Sequence, residues 1–224
     1  MTLQTVDFIF KLIAFVFAIS VHESAHAWTA NRCGDPTARM LGRVTLNPIK
    51  HIDPVGTVLM PLIAYISHIP MLGWAKPTPV NPRNFKNPVK DDILTSVAGP
   101  ISNFLIASIA VVLLIVISLS SASGRELVHG LPYGQLIDTS LTPFCLLIYD
   151  FMTINVVLGV FNLIPVPPLD GSHVLRHFLS PPVLRVYDTI GWLGLMALVY
   201  LGGGLLGKLI FPVLGFFISI LLRF

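Results

Sequence analysis

The sequence has few charged residues. Asp, Glu, Lys and Arg make up 11% of its 224 residues, whereas a soluble domain has about 25%. Hydrophobic residues make up 54%, and the mean hydropathy is +0.80. The net charge of +3 is modest, and the basic residues lie in loops. This composition excludes an ordinary soluble enzyme and gives no sign of a nucleic-acid partner. It predicts an integral membrane protein, with the lipid bilayer as its surroundings.

Cysteine is also scarce, and two sequence motifs of known intramembrane proteases are missing. The two cysteines, Cys33 and Cys145, lack metal-ligand spacing and do not form a disulfide framework. The GxSG motif of the rhomboid serine proteases is absent. Tyr149 and Asp150 match one half of an intramembrane aspartyl protease, with Asp170 as a conceivable partner, but the other half, GxGD, is absent. The sequence therefore disfavours both chemistries.

Long apolar runs are abundant. About 20 residues of helix cross a bilayer, and the first three of the five apolar runs exceed that length. The last two are short and separated by three glycines, so we expect a C-terminal helical hairpin over residues 185–224, with one broken helix as the alternative. No connecting segment is long enough for a soluble domain, and residues 1–224 are predicted to form a single membrane-embedded domain. The runs are 6–28, 92–119, 141–164, 190–201 and 209–222.

The first run contains two histidines and a glutamate, in the stretch VHESAHAW at 21–28. Positions i and i+4 share one face of an α-helix, so His22 and His26 can bind one Zn²⁺, with Glu23 beside it as general base. An ionisable residue at membrane depth costs about 2.5–3.5 kcal/mol and is rarely present without a function. The pattern therefore predicts a zinc hydrolase.

A catalytic zinc usually has three protein ligands and one open position. The best candidate for the third ligand is Asp170, in the stretch NLIPVPPLDG at 162–171. The prolines there end an apolar run and let the chain turn toward the metal. We therefore predict one Zn²⁺ per chain, bound by His22, His26 and Asp170.

Three stretches resemble the motifs of the site-2 proteases, which are intramembrane zinc metalloproteases that cleave transmembrane substrates. They occur in the family's order and span roughly residues 15–180: HESAHAW at 22–28, AGPISNF at 98–104 and NLIPVPPLDG at 162–171. The resemblance is to the compact members, which carry no PDZ or CBS domain. It implies an endopeptidase whose partners are transmembrane proteins or peptides.

The resemblance also assigns roles to individual residues. It gives zinc binding to His22, His26 and Asp170, and the general base to Glu23. The family's asparagine ahead of the LDG motif matches Asn162, which would bind the substrate carbonyl or its oxyanion. The sequence thus predicts Glu23 and Asn162 as catalytic residues.

Other polar residues in the apolar runs allow two readings. Asn155 shares a helix face with Asn162, and such a face serves either a site or contacts between helices. Gly99 and Asn103 are interpreted as packing and helix-start residues. His173 and His177 have the spacing of a second metal pair but no glutamate between them, so we interpret them as loop or interfacial histidines.

A protease must hold its substrate extended, because a helix hides its carbonyls in hydrogen bonds. The segments 42–48 and 72–82 suit edge strands, the second through its small, apolar and proline residues. Site-2 proteases carry a β-structured element after the HExxH helix that is thought to receive substrate by strand addition. We therefore expect a small β-hairpin after the first helix.

Basic residues indicate the orientation of the chain. They flank the charge-free stretch 54–75 on both sides, and the positive-inside rule places both flanks in the cytosol. The stretch is then re-entrant or interfacial, the N-terminus lies outside, and the zinc lies nearer the cytosolic leaflet of the cell membrane. The flanking residues are Arg32, Arg39, Arg43 and Lys50 before it and Lys76, Arg83, Lys86 and Lys90 after it.

The predicted fold is therefore an all-α polytopic membrane protein with about five transmembrane helices, a re-entrant or interfacial segment and a small β-hairpin. Two other functions remain open. A membrane metal transporter would also bury His and Asp, but its ligands would extend toward both faces. A catalytically inactive binding protein of the same fold would not need to keep all four of His22, Glu23, His26 and Asp170. The oligomeric state is not predicted.

Overall fold

A computed structural model describes residues 3–67 and 73–224 of the chain. Within these two ranges the regular structure is helical, and no strand is present. Short 3-10 turns at Pro48–Lys50, Pro82–Asn84 and Leu131–Tyr133 and a π-helix at Pro54–Leu59 connect the α-helices. The α-helices are α1 (Leu3–Cys33), α2 (Thr37–Met40), α3 (Met60–Ile66), α4 (Pro88–Ser120), α5 (Ala122–Gly130), α6 (Thr142–Asn162), α7 (Asp170–Arg176), α8 (Pro181–Leu201) and α9 (Gly203–Leu221).

Four of the described helical stretches are long and apolar enough to cross a membrane: Thr5–Cys33, Pro88–Ser120, Thr142–Asn162 and Gly204–Leu221. Helix α8 is bent by 59° between Pro181–Gly191 and Leu193–Val199, and it makes a fifth span if the two halves count as one. Four or five spans are therefore compatible with the described residues.

Helices α1, α4 and α6 pack against one another and form the centre of the molecule. Small residues lie at these contacts, among them the buried Ala14 and Ala18 of α1 and Ala107 of α4. Several large apolar side chains of α4 point outward, and Leu105 and Val116 are 61% and 60% exposed. Small residues inside and large ones outside are typical of a bundle surrounded by lipid.

Residues 73–81, which we call the strap, form an extended segment without strand pairing, so the predicted β-hairpin is not formed in the described residues. The N–H groups of Trp74, Lys76 and Thr78 all point toward the protein. The opposite edge of the strap carries Pro77 and Pro79, which have no N–H to donate. At residues 77 and 79, that edge therefore has no donor for strand hydrogen bonds.

The other half of the expected hairpin is turned rather than extended. Gly42 has a φ of +67°, Thr45 N–H donates to Arg43 O, and a 3-10 turn begins at Pro48. The two segments meet through a side chain, because the Arg43 guanidinium donates to Pro77 O. Leu72, at the start of the predicted strand, lies outside the described residues.

The two ends of the stretch 54–75 contact each other. Trp74 N–H donates to Gly56 O at 3.2 Å, and the Thr57 hydroxyl donates to Trp74 O at 2.8 Å. Between these ends, Tyr65 stacks on Phe8 near the start of α1, with ring centroids 4.3 Å apart. Residues 68–72 of this stretch lie outside the described residues. These two hydrogen bonds hold the ends of the stretch together.

Candidate metal centre

Helix α1 and the first residue of α7 bring three potential metal ligands together. His22 Nε2 and His26 Nε2 lie 3.0 Å apart. Asp170 Oδ2 lies 3.1 Å from His22 Nε2, and Asp170 Oδ1 lies 3.4 Å from His26 Nε2. Within residues 3–67 and 73–224, this is the one group of three such side chains whose ligand atoms lie within 4.8 Å of one another.

Local sequence explains how these ligands meet. Helix α1 is unbroken through residues 22–26, so the two histidines project from one face. Helix α6 ends at Asn162, and the proline-containing turn leads directly into Asp170. Gly171 allows this turn to pack closely, because a Cβ there would lie 2.2 Å from Leu163 O. The turn thus carries Asp170 back to the face of α1.

The outer nitrogen of each histidine ring contacts an oxygen of α4. His26 Nδ1 lies 2.7 Å from Thr95 O, and His22 Nδ1 lies 2.6 Å from Asn103 Oδ1. A backbone carbonyl only accepts hydrogen bonds, so His26 Nδ1 carries the proton and His26 Nε2 keeps its lone pair.

The protonation of His22 follows from a chain of amides. Asn155 Nδ2 donates to Phe151 O at 2.8 Å, which leaves Asn155 Oδ1 as an acceptor. Asn103 Nδ2 donates to that oxygen at 2.8 Å, so Asn103 Oδ1 accepts from His22 Nδ1. His22 Nε2 therefore also presents a lone pair. Such support of the outer ring nitrogen is common among metal-binding histidines.

The site fits a divalent cation. Two nitrogen lone pairs and a carboxylate converge within 3.0–3.4 Å of one another, an arrangement that repels unless positive charge lies between them. One carboxylate oxygen, Asp170 Oδ2, is buried and has no hydrogen-bond partner among the described residues. Two imidazoles and one carboxylate are a donor set that Zn²⁺ takes in catalytic sites.

Gly99 of α4 lies directly over the two histidines. A Cβ at this position would lie 2.4 Å from His26 Nε2 and 2.6 Å from His22 Nε2. The interpretation of Gly99 as a packing residue is therefore incomplete, since what it packs against is the ligand pair. Asn103 was likewise assigned to packing, yet it contacts His22. Their four-residue spacing, which puts both on one face of α4, is a signal that could have linked them to the site.

Glu23 directly follows His22 in sequence but is not part of the group of three potential metal ligands. Its Oε2 accepts a hydrogen bond from Thr78 N–H at 2.7 Å, and its backbone carbonyl accepts one from the Thr78 hydroxyl at 3.0 Å. Sequence reasoning gave no indication of this contact between α1 and the strap.

The remaining predicted residues take different positions. Asn162 is half-buried, and its side chain donates to Leu158 O of its own helix at 3.0 Å. No described hydrogen bond joins Asn162 to the three ligands, so its catalytic role stays a prediction. His177 Nε2 lies 2.7 Å from Asp92 Oδ2, and His173 Nδ1 lies 3.9 Å from Asp92 Oδ1. These two histidines therefore join α7 to the start of α4.

The comparison with protein families gives a clear match. Residues 10–201 match the model of peptidase family M50. The chain belongs to peptidase family M50, the family of the site-2 proteases. The resemblance drawn from the three sequence motifs is thereby confirmed, and the apolar helices are those of a membrane protein.

Related proteins carry names that agree with this family. The chain is 39% identical to YwhC of Bacillus subtilis, named as a candidate zinc metalloprotease, over 80% of this chain and 73% of YwhC. It is 27% identical to Rip2 of Mycolicibacterium smegmatis, which has the same description, over 87% of this chain and 66% of Rip2. A zinc metalloprotease of Methanocaldococcus jannaschii is 34% identical over 42% of this chain and 22% of its own length. No solved structure gave a significant match.

Proposed function

We propose that this protein is a zinc-dependent intramembrane endopeptidase that hydrolyses peptide bonds within or near the transmembrane segments of membrane proteins. The observation that carries the proposal is the convergence of His22, His26 and Asp170 among apolar helices, with ligand atoms within 4.8 Å of one another. Membership of peptidase family M50 and the names of the relatives support the same activity.

We assign the ligands as His22 Nε2, His26 Nε2 and the Asp170 carboxylate, with one ion per chain. A zinc ion held there supplies a Lewis acid that lowers the pKa of water toward about 7 and polarises a carbonyl. Asn103 and Thr95 O hold the two imidazoles in the tautomer that directs a lone pair inward. Gly99 leaves room for both rings.

Glu23 is the general base. Its carboxylate takes a proton from the attacking water as the water oxygen bonds to the peptide carbonyl carbon. The C–N bond then breaks, and Glu23 returns the proton to the leaving nitrogen, so that a carboxylic acid and an amine result. Asn162 is proposed to hydrogen-bond the substrate carbonyl, a role carried over from the family resemblance.

The proposed orientation has the N-terminus outside and the site nearer the cytosolic leaflet. The hydrogen bonds that join the two ends of the stretch 54–75 support this orientation, because both flanks of the stretch then lie on one side of the membrane. Cysteines introduced at positions 50 and 86 of a cysteine-free variant test it. Labelling of both positions from the cytosolic face is expected, and labelling from opposite faces would exclude this orientation.

The activity is tested on the purified full-length chain with a panel of single-span substrates. Glu23→Gln is expected to retain about one zinc per chain and to lose cleavage, because Glu23 acts as base rather than ligand. Zinc content by mass spectrometry and cleavage by gel are measured for both proteins. Cleavage by Glu23→Gln at the wild-type rate would exclude the proposed mechanism.

A further inference from the structure

Among the described hydrogen bonds, the strap reaches Glu23 through one residue, Thr78, which bonds to it twice. Thr78 N–H donates to Glu23 Oε2 at 2.7 Å, and Thr78 Oγ1 donates to Glu23 O at 3.0 Å. A backbone N–H bonded to a carboxylate makes a charge-assisted hydrogen bond, which is about twice as strong as a neutral one. Glu23 is half-buried, so this bond is partly shielded from water.

The strap is fixed on both sides of Thr78. Before it, Lys76 N–H donates to His51 O at 2.9 Å, and the Arg43 guanidinium donates to Pro77 O at 3.3 Å. After it, Asn81 N–H donates to the buried Asp35 at 2.7 Å. Residues other than Glu23 therefore hold the strap on both sides of Thr78.

The sequence around Thr78 leaves one donor at this point. Pro77 and Pro79 have no N–H, so Thr78 supplies the single backbone donor of residues 77–79. Prolines also restrict the backbone of the strap before any contact forms. A free glutamate, by contrast, rotates about several side-chain bonds and loses that freedom when it is ordered.

We propose that the Thr78 amide positions the catalytic carboxylate: it binds Glu23 Oε2 and leaves Oε1 as the oxygen that receives the proton of the attacking water. Thr78 is then a positioning residue and does not touch the substrate. This inference rests on the proposed function of the site, since it gives Glu23 the role of base.

Three variants distinguish the contribution of the Thr78 amide from that of the rest of the strap. Thr78→Pro removes the N–H in an extended segment that already contains Pro77 and Pro79. Thr78→Val keeps the N–H and removes the hydroxyl. Val80→Pro is the matched control, because it removes a neighbouring N–H for which the described residues provide no hydrogen-bond partner.

The zinc-loaded variants are compared by kcat, KM and zinc content on one substrate that the wild type cleaves and Glu23→Gln does not. Thr78→Pro is expected to lower kcat by about tenfold or more, as the loss of a hydrogen bond to a charged group would, with KM and zinc content unchanged. Val80→Pro is expected to keep kcat within about threefold of wild type, and Thr78→Val is expected to lose less kcat than Thr78→Pro, since both variants retain the Thr78 amide.

A second measurement needs neither zinc nor substrate. Isotope labelling of the proline carbonyl carbon and the threonine nitrogen selects two amide signals in NMR spectra. They belong to the two threonines that follow a proline in the chain, Thr37 and Thr78. The Thr78 amide is expected to exchange with solvent faster in Glu23→Ala than in wild type. Thr37 N–H bonds to Asp35 instead, at 3.1 Å, so its exchange should not change.

The outcomes are distinguishable. If the wild type does not cleave in a Glu23-dependent manner, the proposed function fails, and the exchange measurement alone then tests the contact. Three results would overturn the inference: a wild-type kcat in Thr78→Pro, an equal loss of kcat in Val80→Pro, or a raised KM with unchanged kcat. Unchanged Thr78 exchange in Glu23→Ala would also overturn it.

Discussion

Helix α1 and the elements that surround it contribute to the site in different ways. Two ligands and the proposed base lie within five consecutive residues of α1, in a pattern that a helix places on one side by itself. Their supports come from far along the chain. Asn103 lies 81 residues from His22, Thr95 lies 69 residues from His26, and Thr78 lies 55 residues from Glu23.

The reacting groups and the groups that orient them therefore lie on different segments of the chain. In the proposed site, the side chains of α1 determine which ion is bound and which group accepts the proton. The groups of α4 and the strap determine which tautomer, rotamer and distance those side chains adopt. Changes in α1 or Asp170 should therefore remove function, and changes in the supports should weaken it by degrees.

The largest effect is expected from Asp170→Ala. This change removes the third ligand and leaves two neutral imidazoles, so zinc affinity should fall by more than the 10–100-fold typical of a lost supporting contact, and cleavage should disappear. Zinc titration against a competing chelator measures the change. Asp188→Ala is the control, because Asp188 is exposed and pairs with Arg176. Normal zinc affinity in Asp170→Ala would mean that the third ligand lies elsewhere.

Gly99→Ala should act nearly as strongly, although it removes no functional group. The added methyl would lie 2.4 Å from His26 Nε2, so either α4 or the histidine pair must move. We expect zinc binding and cleavage to fall together. Gly215→Ala in α9 is the matched control, because nothing lies within 4 Å of a Cβ there. Wild-type zinc affinity in Gly99→Ala would show that the site tolerates a displacement of α4 or of the two histidines, and that Gly99 is not needed there.

A smaller effect is expected from Asn103→Leu. His22 keeps its place in α1 but loses the acceptor for its Nδ1 proton, and Asn155 loses its partner on α4. Zinc affinity should fall by about 10–100-fold. Ser108→Ala is the control on the same helix, since the Ser108 hydroxyl bonds only to Phe104 O of its own helix among the described contacts. An unchanged affinity would remove Asn103 from the supports of the site.

The sequence could predict the features of the molecule that arise from local patterns. Helices follow from apolar runs, and a ligand pair follows from helical spacing, since both are local patterns. Asp170 was predicted because prolines mark the break before it. The family motifs were also local, and the family is confirmed.

Contacts between distant segments were harder to predict. Asn103 was assigned to packing because nothing in its own helix shows which ring it meets. The β-hairpin was predicted from local extension, but strand pairing requires donors on the free edge, and Pro77 and Pro79 remove them. Thr78 has no local signal at all, because its role depends on where the strap crosses α1.

The smallest expected effect concerns the anchor of the strap at Asp35, and it depends on pH. Burial raises the pKa of Asp35, but hydrogen bonds from the Thr37 hydroxyl, Asn81 N–H and the Asn84 side chain outweigh burial and leave this pKa below its ordinary value. The unfolded chain has the ordinary aspartate pKa of about 3.9. Because the folded pKa is the lower one, Asp35 stabilises the fold above that pH and loses this contribution as the pH falls through its folded pKa.

Asp35→Asn should therefore lower the melting temperature by a few degrees at pH 7 and by less as the pH falls below about 4. Melting temperatures of wild type and Asp35→Asn in detergent, from pH 7 to pH 3, measure this difference. Asp53→Asn is the control. It changes another capping carboxylate, which accepts from Val55 and Gly56 N–H rather than from the strap. The zinc affinity of Asp35→Asn should stay at the wild-type value, because the described hydrogen bonds join the strap to Glu23 and not to the three proposed ligands. A difference in melting temperature that does not change with pH would show that the ionised form of Asp35 does not anchor the strap.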